Sequence, residues 1–220
     1  GAGASTSTFT GAMAVASYLD GDGERDLALG SPTWTSSTGA VYVYSDLPGD
    51  DPARALTDWD FRIVAITTGD AFGTAVAALP DLDGDGSPEL AIGATGEDSG
   101  GSGAGAVYLV SGNPGGSSES YTTDAWAVLL GGASGDAAGS VVANGGDLDG
   151  DGLDDVVIGA AGHDTNLSGL GAVWVAFGGA EDPVRVFLGS DPPGAVVLAN
   201  GEILGVKPID RLIEPKSGTV

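Results

Sequence analysis

Three acidic stretches of nine residues recur along the chain, and their residue types suit the binding of a cation. They read Asp81-Leu-Asp83-Gly-Asp85-Gly-Ser-Pro-Glu89, Asp147-Leu-Asp149-Gly-Asp151-Gly-Leu-Asp-Asp155 and, more weakly, Tyr18-Leu-Asp20-Gly-Asp22-Gly-Glu-Arg-Asp26. Carboxylates at alternate positions, separated by glycines that let the backbone curl, can converge on one hard cation with about six to eight oxygen ligands. Calcium is the expected ion, because magnesium prefers to keep its own waters.

The spacing of the acids distinguishes these loops from EF-hands, which share the Asp-x-Asp-Gly-Asp-Gly pattern. An EF-hand needs a bidentate Glu at its twelfth position, and here Leu29, Ile92 and Ile158 occupy that place. The chain enters an apolar run directly after the ninth position, so we expect each loop to join two strands. The alternative is an acidic turn without metal, but four clustered carboxylates repel one another in the absence of a cation.

The composition excludes several classes of partner. The 220 residues carry a formal net charge of −24, with 31 acidic and only 7 basic side chains. No Lys/Arg cluster is present to hold nucleic-acid phosphates or an anionic membrane surface, and no run of about 20 apolar residues predicts a membrane helix. The absence of cysteine excludes disulfides, thiolate metal sites and thiol nucleophiles. We therefore expect neither nucleic-acid binding nor membrane insertion.

Residues that could support catalysis are sparse. The segment Asp98-Ser-Gly-Gly101 is similar to the nucleophile segment of trypsin-like proteases, but Glu97 and Ser102 replace its flanking Gly and Pro. The only histidine, His163, follows that serine in the chain, whereas the protease order is His, Asp, Ser. Paired carboxylates for glycoside hydrolysis stay open, although the obvious pairs belong to the acidic loops. We predict no catalytic residues, and we expect His163 to be an exposed loop residue.

The acidic loops belong to a longer repeat that predicts the elements around them. Each loop is followed by an apolar run that ends in glycine, at Gly30, Gly93 and Gly159. Next come Gly39-Ala-Val-Tyr-Val, Gly105-Ala-Val-Tyr-Leu and Gly171-Ala-Val-Trp-Val, each 66 residues after the one before. A further apolar run closes each unit. Short runs rich in Val, Ile and Ala, bounded by Gly, Asp and Ser, predict strands.

Four strands in each unit and a period of this length predict an all-β fold, a β-propeller of four-stranded antiparallel blades that bury their faces against one another. We divide the chain into blade 1 (1–69), blade 2 (70–135), blade 3 (136–193) and a degenerate half blade (194–220). In the last segment Glu202 and Asp210 stand at the ends of a loop without the intervening carboxylates. An unrelated tail or linker is the alternative for that segment.

These residues resemble the FG-GAP repeats of integrin α-subunit β-propellers and their bacterial relatives. The matching segments of blade 2 are Phe72-Gly73, the loop from Asp81 to Glu89, Gly93-Ala94-Thr95 in place of Gly-Ala-Pro, and Gly105-Ala-Val-Tyr. Blade 1 contributes Phe9-Thr-Gly11 and Gly30-Ser-Pro32, and blade 3 contributes Ala138-Gly139 and Gly159-Ala-Ala161. The resemblance therefore covers most of the chain.

The resemblance also implies which atoms would bind calcium. In blade 2 they are the side chains of Asp81, Asp83, Asp85 and Glu89 with the carbonyl of Ser87; in blade 3 they are the side chains of Asp147, Asp149, Asp151 and Asp155 with the carbonyl of Leu153. In blade 1, Tyr18 replaces the leading carboxylate, which leaves Asp20, Asp22, Glu24 and Asp26. We expect two calcium ions and a weaker third site.

The two ends of each blade are expected to differ in function. Strand direction alternates, so the loops that join strands 1–2 and 3–4 share one face, and those that join strands 2–3 and 4–1 share the other. Calcium is expected on the first face, and the resemblance implies a ligand on the opposite, metal-free face. Trp34 and His163 are the candidate side chains there, whereas Trp126 and Trp174 fall inside strands and are expected in the core.

We therefore expect a calcium-binding, extracytoplasmic propeller module, secreted or at the cell surface, that acts in adhesion or in recognition of a protein or glycan, without enzyme activity of its own. Calcium would be structural. Two alternatives stay open, namely an accessory domain of a secreted hydrolase and a structural surface or filament subunit that assembles through open blade edges. Three and a half blades cannot close a ring, since propellers have about four to eight. Further blades, other copies or a partner are expected to cover the open edges.

Overall fold

The computed structural model describes residues 12–17, 19, 22–45, 58–82, 86–112, 119–148, 150–164 and 171–178, together with the backbone of 185–188, 197–199 and 202–205. In chain order its strands are β1 (Met13–Ser17), β2 (Arg25–Ser31), β3 (Ala40–Tyr44), β4 (Phe61–Val64), β5 (Phe72–Leu79), β6 (Glu89–Ala94), β7 (Ala106–Ser111), β8 (Glu119–Tyr121), β9 (Ala127–Leu130), β10 (Ala138–Gly146), β11 (Asp155–Ala160), β12 (Ala172–Phe177), β13 (Arg185–Leu188), β14 (Val197–Ala199) and β15 (Glu202–Gly205). Two short turns lie between strands, Trp34–Ser37 and Thr122–Asp124. The first has a positive φ at Thr35, Ser36 and Ser37, and the second is a single 3-10 turn.

The strands form three sheets that correspond to the predicted blades. Blade 1 is β1-β2-β3-β4, blade 2 is β5-β6-β7-β9 and blade 3 is β10-β11-β12-β13. Neighbouring strands within each of these blades are antiparallel. The prediction of four-stranded antiparallel units is confirmed. Successive residues of a strand point to opposite sides of the sheet, so each blade has two faces to bury.

The blades stack on one another through two apolar cores. We call the side of a blade that packs on the preceding blade its leading face, and the side that packs on the following blade its trailing face. Between blades 1 and 2, the core joins Ala28, Val41 and Val43 to Val76, Leu90 and Ile92. Between blades 2 and 3, the equivalent core joins Ala91, Val107 and Leu109 to Val142, Val156 and Ile158. All of these residues are buried, so both joints use the same positions.

Pairs of glycines bring the backbones of neighbouring blades into direct contact. A Cβ on Gly30 of blade 1 would lie 2.1 Å from the carbonyl oxygen of Gly73, which has a φ of +90° in the bulge that opens β5. The same contact recurs between blades 2 and 3, where a Cβ on Gly93 would lie 2.0 Å from the carbonyl oxygen of Gly139. A side chain at these positions would overlap the next blade, so each joint requires glycine.

A second backbone contact accompanies each glycine pair. Isolated parallel bridges join Gly39 to Phe72 and Gly105 to Ala138. A Cβ on Gly39 would lie 2.1 Å from the carbonyl oxygen of Phe72, and one on Gly105 would lie 2.3 Å from that of Ala138. The Gly-Ala-Val segment of one blade therefore meets the Phe-Gly or Ala-Gly segment of the next. The repeated motifs of the sequence are the two halves of the joint.

The outer edge of blade 1 is covered by a strand from the following segment of the chain. Strand β8 pairs with β4 in parallel, with Arg62 opposite Glu119, and the two side chains form a salt bridge. A paired edge strand has fewer free backbone groups for unwanted association. Strand β8 therefore links the perimeters of blades 1 and 2.

The last two strands extend the sheet of blade 2. Strand β14 pairs antiparallel with β9, with Val197 opposite Leu129, and β15 pairs antiparallel with β14. Glu202 opens β15, whereas Asp210 lies outside the described residues. The assignment of 194–220 to a degenerate half blade, like the other blade boundaries, stays a prediction.

Replacing Gly93 by alanine should destabilise the protein, because the added Cβ would lie 2.0 Å from the carbonyl oxygen of Gly139. We expect the free energy of unfolding to fall by about 1–3 kcal/mol, the usual cost of overpacking. Gly159 is the matched control, since it holds the same place in blade 3 and its added Cβ would meet its nearest atom, the Cβ of Val141, at 3.2 Å. Urea unfolding measures both losses, and equal losses would contradict a special role for the joint.

Candidate metal centre

The three acidic loops occupy equivalent places in the fold. They join β1 to β2, β5 to β6 and β10 to β11, which are the first and second strands of each blade. The expectation that each loop connects two strands is therefore confirmed. Because the blades stack in the same sense, the three loops lie at the same end of the stack.

The loop of blade 3 is folded around its first and last carboxylates. Asp147 accepts hydrogen bonds from the backbone N–H groups of Gly150 at 2.6 Å, Asp151 at 3.0 Å and Gly152 at 2.9 Å. At the ninth position, the fully buried Asp155 accepts one from Leu148 N–H at 2.6 Å and another from Gly178 N–H at 3.0 Å. The backbone is therefore curled so that the loop encloses its own carboxylates.

The loop of blade 2 repeats two of these contacts. Asp81 accepts a hydrogen bond from Gly86 N–H at 3.0 Å, and Glu89 accepts one from Leu82 N–H at 2.5 Å. In both loops the first carboxylate therefore binds the N–H of the sixth residue, and the ninth binds the N–H of the second. The two loops share one internal geometry although Ser87-Pro88-Glu89 replaces Leu153-Asp154-Asp155.

The loop of blade 1 retains part of this geometry. Asp22 accepts a hydrogen bond from Glu24 N–H at 2.7 Å, and Asp151 makes the equivalent bond to Leu153 N–H at 2.9 Å. Asp26, at the ninth position, is fully buried like its counterparts. Tyr18 stands where the other loops have the aspartate that organises the turn, so this loop lacks that anchor.

The residues of these loops fit a hard cation in their chemistry. Their donors are carboxylate and carbonyl oxygens, which calcium prefers. Glu89 and Asp155 are both buried to 0% exposure, and burial of a carboxylate is costly unless positive charge or hydrogen bonds compensate it. A bound cation at this end of the blades would supply that charge.

Several predicted ligands lie outside the described residues, namely Asp20, Asp83, Asp85 and Asp149. Within the parts of the chain that the structure describes, no group of three or more His, Asp or Glu side chains is placed to hold a metal ion. The middle of each loop is where the alternating carboxylates would converge. The complete ligand sets therefore stay predictions.

At the opposite end of the blades, two equivalent polar pairs link the loop before the first strand to the loop after the second. In blade 2 the pair is Asp70 and Glu97; in blade 3, 66 residues on, it is Asp136 and His163, and all four side chains are buried. Gly96 N–H donates to the carbonyl of Asp70 at 2.9 Å, and Gly162 N–H donates to that of Asp136 at 3.0 Å. The same backbone contact therefore presents two acids in blade 2 and an acid with a histidine in blade 3.

The pair in blade 3 is joined by a hydrogen bond. Nδ1 of His163 lies 3.0 Å from an Asp136 carboxylate oxygen. The other oxygen of that carboxylate accepts hydrogen bonds from Gly132 N–H at 3.1 Å and Ala133 N–H at 2.8 Å. The ring of His163 also meets Trp174 edge to face at 5.9 Å. The expectation of an exposed His163 is wrong, because Asp136 satisfies the ring nitrogen within the fold.

The pair in blade 2 is strained electrostatically. Burial, and after it the nearby carboxylates of Glu97 and Asp98, raise the pKa of Asp70 to about 6, against a hydrogen bond from Thr67 that lowers it. Burial and the charges of Glu97 and Asp70 also raise the pKa of the Tyr108 phenol far above its usual range. Asp70 therefore holds a proton into mildly acidic conditions.

Trp34 takes part in an aromatic cluster beside blade 1. The guanidinium carbon of Arg62 lies 5.0 Å from the ring centroid of Trp34 and 5.3 Å from that of Trp59, and Trp59 meets Tyr42 edge to face. Cation–π contacts of this kind stabilise by about 0.5–1 kcal/mol where solvent is near. Trp34 is half-buried, so part of its ring is available at the metal-free face. Whether it binds a ligand stays a prediction.

The remaining aromatic and catalytic expectations have simple outcomes. Trp174 lies in β12 and is buried in the core, as expected. Trp126 precedes β9 and is partly buried against the core between blades 2 and 3. The Ser99 hydroxyl donates a hydrogen bond to Glu97, while the ring of His163 faces Asp136. The two residues that most resembled parts of a protease triad are each engaged elsewhere.

The sequence matches the FG-GAP repeat family in three segments, 9–44, 72–110 and 138–176. These segments cover more than half of the 220 residues, and the chain belongs to this family. Each match runs from the first to the third strand of a blade. Because FG-GAP repeats are β-propeller blades, the predicted fold class is confirmed.

Two curated proteins are similar over most of the chain. Integrin alpha-5 of Xenopus laevis is 35% identical over 176 residues, which make up 73% of this chain and 15% of that protein. Integrin alpha-4 of Xenopus laevis is 33% identical over 159 residues, or 70% of this chain and 14% of that protein. The chain thus spans about one seventh of the length of these relatives.

The structure also bears on membrane contact. None of the helices in the described part of the chain has both the length and the apolar character needed to cross a membrane.

Sequence reasoning missed the paired polar residues at the metal-free end. A signal was present, since Gly69-Asp-Ala71 and Gly135-Asp-Ala137 recur 66 residues apart. Both alanines adopt a positive φ, 54° at Ala71 and 51° at Ala137, which marks a constrained turn. The aspartate in such a turn is held by its backbone, and its buried partner follows 27 residues later.

Substitution of Asp70 by asparagine should stabilise the protein at pH 7. The raised pKa of about 6 means that the folded state binds this proton more tightly than the unfolded chain. The stability that this group contributes is therefore fully present below the ordinary Asp pKa of 3.8 and is lost as the pH rises through about 6. We expect the variant to be about 1–2 kcal/mol more stable than wild type at pH 7, with little of that advantage near pH 4.

The matched control is Asp136→Asn in blade 3. Its carboxylate accepts two backbone hydrogen bonds and faces His163, so the amide should destabilise the fold by about 1–2 kcal/mol. Urea unfolding at pH 4, 5.5 and 7 measures both variants. A loss of stability in Asp70→Asn at pH 7 would overturn the account of a repulsive acidic pair.

Proposed function

We propose that this chain is a calcium-stabilised, extracytoplasmic FG-GAP propeller module that acts in adhesion or protein recognition and carries out no chemistry of its own. The observation that supports calcium is the shared geometry of the loops in blades 2 and 3. In both, a leading aspartate closes the turn and a fully buried acid ends it. Family membership supports the recognition role, since the similar proteins are integrin α-subunits.

The proposed ligands in blade 2 are Asp81, Asp83, Asp85, Glu89 and the Ser87 carbonyl, and those in blade 3 are Asp147, Asp149, Asp151, Asp155 and the Leu153 carbonyl. A bound calcium ion would neutralise the clustered carboxylates and tie the first and second strands of a blade together. The loop of blade 1 would bind more weakly through Asp20, Asp22, Glu24 and Asp26. Its missing leading acid removes both a charge and the anchor of the turn.

The first and ninth acids of the loops in blades 2 and 3 have different roles. In blade 3 the first acid accepts backbone N–H groups with both carboxylate oxygens, two on Oδ1 and one on Oδ2, and the second lone pair of Oδ2 can face a cation. The ninth acid holds the N–H of the second residue and thereby fixes where the loop meets the next strand. The two anchors are internal to the loop and hold the curl of its backbone.

A recognition surface is proposed on the metal-free face. It would consist of the loops at 33–38, 68–71, 96–104 and 132–137, with 163–170 and 190–193 extending beyond the described residues. Trp34 offers a half-buried aromatic ring there, a type of side chain that is common at interface hot spots. His163 is buried and paired, so it would act by shaping its loop and would not contact a ligand directly.

Chelation of calcium should lower the thermal stability of the protein. An ion that binds only the folded state stabilises it by about 2.7 kcal/mol at a hundredfold excess over its Kd. We expect a clear fall in Tm when EGTA replaces excess calcium, and we expect Glu89→Gln and Asp155→Asn each to remove part of the calcium-dependent increment. Differential scanning calorimetry with and without calcium measures this.

The charge-matched control for calcium binding is Asp164→Asn, an exposed acid in the metal-free end of blade 3. It should leave the calcium-dependent increment unchanged. Calorimetric titration should give about two strong sites in wild type and one in each loop variant. A melting curve that is the same in EGTA and in calcium would overturn the metal assignment.

Recognition can be tested with an array of purified extracellular proteins and glycans. The folded chain should bind one or more of them in calcium and lose binding in EGTA, because the face depends on ordered blades. Trp34→Ala should weaken that binding about tenfold or more. Arg25→Ala should leave it intact, because Arg25 is exposed at the eighth position of the first acidic loop, at the opposite end of blade 1. Equal loss in both variants, or no binding at all, would contradict the proposed face.

A further inference from the structure

The trailing face of blade 3 has the composition of a joint. Val173 is 65% exposed and Val141 is 61% exposed. The residue that corresponds to Val173 in blade 2 is Val107, which is fully buried beneath blade 3. Val157 and Val175 continue the same face and are half-buried. An apolar sheet face of this kind is normally covered in a soluble protein.

The leucine at the second position of each acidic loop supports the same conclusion. Leu19 of blade 1 is fully buried in the core that it shares with blade 2. Leu82 of blade 2 packs against the core that is shared with blade 3. Leu148 of blade 3 is 54% exposed. Two of these leucines pack beneath the following blade, and among the described residues the third has the same position without such a cover.

Blade 3 also keeps the glycines that receive a neighbour. Gly159 corresponds to Gly93, and Gly171 corresponds to Gly105. A Cβ on Gly93 or Gly105 would lie 2.0 or 2.3 Å from a carbonyl oxygen of blade 3. Among the described residues, the nearest atoms to a Cβ on Gly159 or Gly171 lie at 3.2 and 3.3 Å and belong to blade 3 itself. Blade 3 therefore has the glycines of a joint, and no described residue of another blade packs against them.

The leading face of blade 1 carries the complementary half. Met13 is 62% exposed and Val15 is 61% exposed. Strand pairing places Met13 opposite Leu29 in blade 1, as it places Val76 opposite Ile92 in blade 2. Val76 and Ile92 are the leading-face residues that pack under blade 1. Blade 1 therefore presents apolar side chains at the positions that form a joint.

We propose that the trailing face of blade 3 binds the leading face of blade 1 in a second copy of this chain, in the same register as the two internal joints. A second copy suits the trailing face of blade 3, because blade 1 carries apolar residues at the positions that match the internal joints. The contact joins different faces of the two copies. Such a head-to-tail interface produces a ring if the rotation closes and an extending chain if it does not.

Charge sets the conditions under which this association forms. Each copy carries a net charge of −24, so two copies repel one another at low salt, whereas the joint positions themselves are uncharged. Salt at about 0.15 M shortens the Debye length to about 8 Å and screens that repulsion. Association should therefore strengthen as the salt concentration rises, which is opposite to the behaviour of an interface held by ion pairs.

Sedimentation equilibrium of the full 220-residue chain in calcium tests the proposal. Wild type should self-associate with rising concentration. Val173→Asp on the trailing face and Val15→Asp on the leading face should each weaken association at least about tenfold, because a charge enters an apolar joint. Ile66→Asp is the matched control, since Ile66 is 62% exposed in the loop before β5, and it should associate as wild type does. Circular dichroism confirms that the exposed substitutions leave the fold intact.

A mixture of the two variants distinguishes a head-to-tail joint from a symmetric one. The Val173→Asp chain keeps its leading face and the Val15→Asp chain keeps its trailing face, so the mixture should form a one-to-one heterodimer that stops there. Monomeric wild type at all concentrations and salts would overturn the proposal. Association that survives Val173→Asp, or a mixture that stays monomeric, would also overturn it.

Discussion

The close contact between glycines of successive blades is the constraint on which the rest of the structure depends. Gly30 against Gly73 and Gly93 against Gly139 bring two backbones to a distance that no side chain permits. That distance sets how far the sheets lie apart, and small residues such as Ala28 and Ala91 then fill the cores near the joint. The bulges that open β5 and β10 present the inserted carbonyls of Gly73 and Gly139. The glycines and small residues at these positions therefore follow from the geometry of the joint.

The sequence was sufficient for elements that repeat and insufficient for contacts that do not. The strands and the loop positions followed from the 66-residue step between Gly39, Gly105 and Gly171. The buried state of His163 did not, because its partner Asp136 lies 27 residues away in the chain and the residue that corresponds to His163 in blade 2 is an acid, Glu97. Strand β8 was also missed, since a three-residue strand that pairs in parallel leaves no periodic signal. The repeat in the sequence predicts the features that the blades share, but it does not predict contacts that occur in only one blade.

The two ends of blades 2 and 3 accommodate buried carboxylates in different ways. At the loop end, backbone N–H groups organise several carboxylates around an interior that suits a cation. At the other end, a single aspartate in a strained turn meets one buried partner, which is Glu97 in blade 2 and His163 in blade 3. The backbone is the same in both blades, so the choice of partner alone decides whether that corner repels or attracts. The pair in blade 3 is held by a hydrogen bond, whereas the two acids in blade 2 repel one another.

The pairing of strand β8 with β4 should make blades 1 and 2 unfold cooperatively. It leaves the sheet of blade 2, pairs with β4 at the rim of blade 1 and adds the ion pair between Arg62 and Glu119. Blade 1 cannot separate from its neighbour at the rim without breaking backbone hydrogen bonds as well as apolar contacts. Amide groups of blades 1 and 2 should therefore exchange with solvent through a shared opening event, as one foldon. Strand β14 follows blade 3 in the chain and pairs with β9 of blade 2, so blade 3 has a backbone link to the rim of blade 2 as well.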